Sequence, residues 1–192
     1  MDWAVVGLGN PGESYARTRH NMGYMALDVL SEEEGISFSQ KKFDARIGRG
    51  ILSGKDVLLV KPETYMNRSG FAVVRFANFY RLDLGRMIVV HDDIDLPLGD
   101  VRVKAGGGSA GHRGIESIIG ETGRADFIRV RIGIGRPGDG TAVERYVLRR
   151  FSEDEMPVAT AAAERAAGAV KDVLASGPQR AMNRVNVRSH KN

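Results

Sequence analysis

The chain of 192 residues contains no cysteine, which excludes a disulfide framework, a thiolate metal site and a cysteine nucleophile. No apolar run approaches the roughly 20 residues that a membrane span requires. Nor does the chain open with a basic segment followed by an apolar one, so a cytoplasmic protein without membrane contact is expected. Aromatic residues are sparse at 7%, whereas the 24 glycines predict many tight loops. Hydrophobic residues at 42% and charged residues at 27% are ordinary for a globular chain. The length fits one domain over residues 1–192 around one sizeable core.

The net charge is only +4, but its distribution is uneven. No acidic residue follows Asp172, while Arg180, Arg184, Arg188 and Lys191 accumulate in what reads as a basic tail from about residue 177. Arg102, Lys104, Arg113, Arg129, Arg131 and Arg136 cluster around a glycine-rich middle. This pattern suits either a solvated basic surface or a face that binds a polyanion.

Hydrophobic periodicity predicts alternating strands and helices. Trp3 to Val6 reads as a buried strand, and Met22, Met25, Ala26, Val29 and Leu30 recur at helical spacing until Gly35. Phe43 to Leu52 and Asp56 to Val60 read as strands around a turn at Ser53 and Gly54. Val73, Phe76, Ala77 and Tyr80 mark a second helix, and Met87 to Val90 a strongly apolar strand. Val101 to Lys104 alternates as a strand does, AGGGSAGHRG forms a loop opening onto a short helix through Ile115, Ile118 and Ile119, and FIRVRIGIG is a further strand. A helix from Glu153 to Leu174 should end at Gly177 and Pro178. The expected class is α/β: a twisted, mixed but mostly parallel sheet flanked by helices on both faces, three layers in all.

Gly7, Gly9 and Gly12 spell G-x-G-x-x-G, the dinucleotide fingerprint. The context argues against it. The polar run Glu13 to Asn21 follows where an amphipathic helix should begin, Pro11 removes an amide donor, and Asp28, the first later acid in range, falls inside a helix. A tight turn placing Asn10 at the carboxyl end of a central strand is the better reading, and ligands of α/β sheets gather there.

Other strand ends carry Tyr65-Met66-Asn67 and His91-Asp92-Asp93, and the glycine loop carries His112. In an open sheet Asn10, His20, Asn67 and Asp92 can converge on one crevice. A histidine oriented by a carboxylate is a general base, so His20 with Asp92 suits direct activation of water, with Asn10 and Asn67 holding the carbonyl or the water. Turn chemistry for the asparagines and a satisfied core histidine are the bland alternatives. His91, Asp92, Asp93 and Asp95 with His20 would suit a divalent ion, but successive strand residues point to opposite sides; Asp93 and Asp95 read better as turn and capping residues. No metal and no cofactor are expected. Lys104 and Arg131 on separate strands could clamp a terminal phosphate beside the glycine loop, or stand as exposed strand-face cations.

Together the blocks VVGLGNPGESYARTRHNMG, VKPETYMNRSG, VVHDDIDLPLGDVRVKAGGGSAGHRG, FIRVRIGIGRPGD, YVLRRFS and the late MNR closely resemble the bacterial peptidyl-tRNA hydrolase family, in the family's order. The resemblance implies a monomeric, metal-free esterase that cleaves peptide from tRNA in peptidyl-tRNA, recycling tRNA from prematurely released chains. His20 would be the base, Asp92 its orienting partner, and Asn10 and Asn67 would place substrate and water. Tyr15, Asn21, Tyr65, Met66, His112 and Arg113 would contact substrate, and Lys104 with Arg131 would grip the phosphorylated end of the tRNA. One departure stands out: Arg113 occupies a GHRG block where the family commonly has asparagine. Arginine cannot accept a hydrogen bond, so Arg113 is expected to face tRNA phosphate or the acceptor-end backbone rather than the water. An RNA-binding relative without activity would need neither His20 nor Asp92.

Overall fold

The structure is a computed structural model that describes residues 1–187. Its strands are β1 (Trp3–Gly7), β2 (Gln40–Lys42), β3 (Ala45–Leu52), β4 (Lys55–Pro62), β5 (Met87–Asp93), β6 (Val101–Ala105) and β7 (Ile128–Gly133). They form one seven-stranded sheet in the order β2-β3-β4-β1-β5-β7-β6. The central strands β4, β1, β5 and β7 are parallel, and antiparallel pairings add β3 and β2 at one edge and β6 at the other. The expected mixed, mostly parallel sheet is therefore present.

Helices cover both faces, which is why β1 and β5 are apolar in unbroken runs rather than alternating. Val5, Ile88 and Val90 face a core closed by α1 (Met22–Glu34) and the long α5 (Met156–Ser176). Ala4, Val6, Met87 and Val89 face a second core closed by α2 (Ser69–Tyr80) and α3 (Arg113–Thr122). The buried positions of α5 are largely alanines, Ala159, Ala162, Ala163, Ala166, Ala167 and Ala169, and such small side chains let helices approach closely.

Several local expectations change. The strand expected from Phe43 begins at Ala45, because Phe43 and Asp44 turn the chain with φ of 58° and 54°. That turn joins β3 to β2, a strand whose exposed residues Gln40 to Lys42 carry no apolar signal. Val143–Val147 forms α4, which composition had not marked. Gly177 ends α5 as expected, but Pro178 opens another helix, α6 (Pro178–Val185), at the first-turn position where proline is favoured. Asn186 ties its end to the edge strand: Oδ1 accepts from the Val103 N–H at 2.7 Å and Nδ2 donates to the Val103 carbonyl at 2.8 Å. The basic segment thus begins as a docked helix, while Arg188 and Lys191 lie outside the described residues.

The first glycine of the G-x-G-x-x-G run serves packing. A Cβ on Gly7 would lie 2.4 Å from the Gly23 carbonyl oxygen, and one on Gly23 would lie 2.3 Å from that of Val90. The pair lets the start of α1 press against β1 and β5, bringing the residues just before it to the strand ends. No helix among the described residues is long and apolar enough to cross a membrane.

Candidate active site

The parallel strands β4, β1 and β5 are neighbours, so the chain leaving their carboxyl ends converges on one cavity of about 510 Å³. Asn10, Tyr15, His20, Tyr65, Met66, Asn67, Asp92, His112 and Arg113 all line it. Its remaining walls include Ile94 and, from α4 and the residue after it, Val143, Val147 and Leu148. The wall is apolar with a few convergent polar groups, as expected of a ligand cavity.

His20 reaches the cavity because its neighbour is anchored. Arg19, buried, donates from Nη2 to both Glu155 carboxylate oxygens at 2.6 and 2.7 Å and from Nη1 to the Arg150 carbonyl at 2.8 Å. Its guanidinium also lies over the Tyr146 and Phe151 rings. The segment before α1 is thereby stapled to the chain between α4 and α5.

His20 Nδ1 lies 2.9 Å from Asp92 Oδ1 and 3.0 Å from Oδ2. His112 Nε2 lies 2.9 Å from the same Oδ1. Burial opposes charge on Asp92, but the two imidazoles, His20 first and then His112, outweigh it and hold the carboxyl well below the usual carboxylate range. An ionised carboxylate only accepts, so both facing ring nitrogens carry protons. The His112 tautomer is fixed independently: its Nδ1 accepts from the amides of Gly114 and Ile115 at 3.2 and 3.3 Å, capping α3. His20 Nδ1 is likewise spent on Asp92, which leaves its Nε2 as an acceptor with no partner among the described residues.

His91 supports the cluster from behind. Its ring meets that of His112 edge-on with centroids 4.7 Å apart, and Nδ1 donates to the Asp92 carbonyl at 2.7 Å. Burial, then the neighbouring His112, pushes its pKa well below the usual imidazole value, so it stays neutral. Metal-ligating atoms of His20, Asp92 and His112 lie within 4.8 Å of one another. Both imidazole nitrogens, however, are at N–H···O distance from the carboxylate, and coordination would require two protons to leave. Of the other residues weighed for an ion, Asp93 instead pairs with Arg131 Nε at 2.7 Å and accepts from the Asp95 amide at 2.8 Å, a turn role as expected.

The asparagines divide their work. Asn10 Oδ1 accepts from the Met66 N–H at 2.9 Å, which leaves only the donor Nδ2 for a ligand. Asn67 is exposed on the cavity wall. Asn21, expected as a substrate contact, is not among the residues lining this cavity: its Oδ1 accepts from the Asn10 amide at 2.9 Å and its Nδ2 donates to the Asn10 carbonyl at 3.0 Å. It fixes the Asn10 backbone. His112, expected as a substrate contact, is the second imidazole on Asp92, a pairing with no signal in the linear sequence. Arg113, expected to face phosphate, stands at the cavity rim with Nη2 3.6 Å from Glu144 Oε1 of α4.

Lys104 and Arg131 lie outside the cavity. The antiparallel β6–β7 register sets Lys104 opposite Arg129 and Arg102 opposite Arg131, so four cations share one face of this strand pair. Like charges directly opposite destabilise a strand pair. Only Asp93, and Asp100 at 3.5 Å from Arg102, offset them among the described residues.

The comparisons with known proteins agree. A sequence model of the peptidyl-tRNA hydrolase family matches residues 4–192. The chain is 48% identical over 184 residues to the peptidyl-tRNA hydrolase of Caldanaerobacter subterraneus subsp. tengcongensis, covering 96% of this chain and 99% of that one. It is 51% identical over 152 residues to that of Geobacter sulfurreducens, covering 79% and 78%. The crystal structure of peptidyl-tRNA hydrolase from Acinetobacter baumannii superposes with a TM-score of 0.90 at 39% identity, covering 96% of this chain and 94% of that one. With a family match over nearly its whole length and a fold to go with it, this chain belongs to the peptidyl-tRNA hydrolase family.

Proposed function

We propose that this protein hydrolyses peptidyl-tRNA by direct attack of water, with His20 as the general base. The observation that carries the mechanism is the Asp92 carboxylate held between two imidazole N–H donors, which leaves His20 Nε2 as an acceptor at the cavity. A water bonded to Nε2 gives up its proton there as its oxygen attacks the ester carbonyl carbon. Asp92 stabilises the imidazolium that forms. The tetrahedral oxyanion needs donors, and Asn10 Nδ2 and the Asn67 amide supply them; one such donor is worth about 3 kcal/mol in a transition state. When the carbon–oxygen bond to the ribose breaks, the imidazolium returns its proton to the leaving ribose oxygen. The products are a peptide carboxylate and tRNA.

Tyr15, Tyr65 and Met66 line the region for the peptide and the terminal adenosine, with Arg113 at the rim. Lys104 and Arg131 hold tRNA phosphate, which gives their like-charge face a function that offsets its cost. The enzyme works as a cytoplasmic monomer without a metal ion, so a chelator should leave turnover unchanged.

Release of tRNA from an N-blocked aminoacyl-tRNA tests the reading. His20→Ala should bind the substrate with unchanged affinity and lose most turnover. Tight binding without turnover by the unaltered protein would refute it.

A further inference from the structure

The glycine loop between β6 and α3 is held from beneath by a residue that the hydrolytic mechanism does not use. Arg129 on β7 is only 3% exposed, yet no carboxylate pairs with it among the described residues. Its Nη1 donates to the Gly108 carbonyl and its Nη2 to the Gly107 carbonyl, while Nε has no partner. The guanidinium stacks over the Phe127 ring at 4.9 Å. A buried cation bound only to neutral carbonyls costs free energy that an apolar residue would not. The fork geometry shows what it does: two successive carbonyls are turned inward together by the fixed, planar donors of one guanidinium, a geometry that a rotating ammonium does not impose.

A trans peptide sets its N–H opposite its C=O. With the carbonyls of Gly107 and Gly108 turned toward Arg129, the N–H groups of Gly108 and Ser109 face the other way, and neither has a protein acceptor among the described residues. Lys104 flanks the same peptide: its ammonium nitrogen would lie 2.7 Å from a Cβ on Gly107, whose φ of 105° suits glycine. Successive amides beside an ammonium form an anion-receptive edge.

We propose that Arg129 is a positioning residue, which orients the peptides of the glycine loop so that the Gly108 and Ser109 amides, with Lys104, receive a phosphate of the tRNA. This rests on the proposed hydrolysis of peptidyl-tRNA and adds a determinant of substrate binding remote from His20. Arg129 acts through the loop and touches no reacting atom.

The test compares Arg129→Met with the unaltered enzyme on two substrates, an N-blocked aminoacyl-tRNA and the same N-blocked aminoacyl ester of adenosine, which lacks the tRNA phosphates. The variant should raise KM for the tRNA substrate about tenfold, leave kcat within about twofold and leave kcat/KM for the adenosine ester unchanged. Should Arg129→Met not fold, Arg129→Lys carries the same comparison, since it keeps the charge and loses the fork. Equal losses on both substrates, or a loss confined to kcat, would mean that the residue merely supports the fold, and an unchanged KM would mean that the loop needs no such anchor. Inactivity of the unaltered enzyme on both substrates would instead overturn the hydrolase reading itself.

Discussion

Replacing Asp92 by asparagine probes the site most sharply, because the side chain keeps its size while one oxygen becomes a donor. His20 Nδ1 contacts both carboxylate oxygens, at 2.9 and 3.0 Å. Whichever way the new amide turns, its NH₂ group therefore meets His20 Nδ1. An NH₂ group facing Nδ1 competes with its N–H and favours the tautomer with Nδ1 unprotonated and Nε2 protonated, in which Nε2 offers water a proton instead of accepting one. The imidazolium formed in the reaction also loses its counter-charge. Unit charges about 4 Å apart at an effective dielectric constant near 20 interact by about 4 kcal/mol, equivalent to about a thousandfold in rate. The expected outcome is a fall in kcat of about 10³ with KM changed by no more than about threefold. Single-turnover release of tRNA from saturated enzyme measures it, with a thermal unfolding scan confirming that the variant is folded. A kcat within tenfold of the unaltered enzyme, or a defect confined to KM, would refute the assignment of base and orienting partner.

Lys104→Ala and Arg131→Ala should each raise KM for tRNA substrates and reduce the slope of log KM against log salt by about 1 per lost phosphate contact, with kcat little changed; steady-state kinetics across a salt series measures both. His91 sets a pH dependence of stability. Its folded pKa is depressed by burial, so below about pH 6.5 the unfolded chain binds a proton that the native chain does not. Stability should therefore fall as pH drops through that value, by up to about 1.4 kcal/mol per pH unit, and unfolding midpoints of His91→Asn should show a shallower decline. Gly23→Ala should destabilise the protein by about 3 kcal/mol or more in denaturant titration, since its methyl would sit 2.3 Å from the Val90 carbonyl oxygen with backbone on every side; a loss under 1 kcal/mol would show that α1 can shift without cost.

The sequence by itself determined the layer architecture and singled out the residues proposed as base and orienting carboxylate. Strands such as Val5–Val6 and Met87–Val90, apolar on both faces, and helices with one apolar stripe leave few alternatives to a sheet covered on both sides. His20, Asn10, Asn67 and Asp92 were legible because they stand in polar blocks that interrupt or follow apolar strands. Three-dimensional proximity decided the rest. Glu155 lies 136 residues from the Arg19 it fixes, and Asp92 lies 20 residues from His112, separations at which hydrophobic period and turn chemistry carry no information. Asn21 and Arg129 read as ordinary polar residues until the fold shows one spent on the Asn10 backbone and the other buried beneath a glycine loop. A hydrogen bond depends on angstrom-scale geometry between chain segments, and only packing of the whole sheet and its helices sets that geometry.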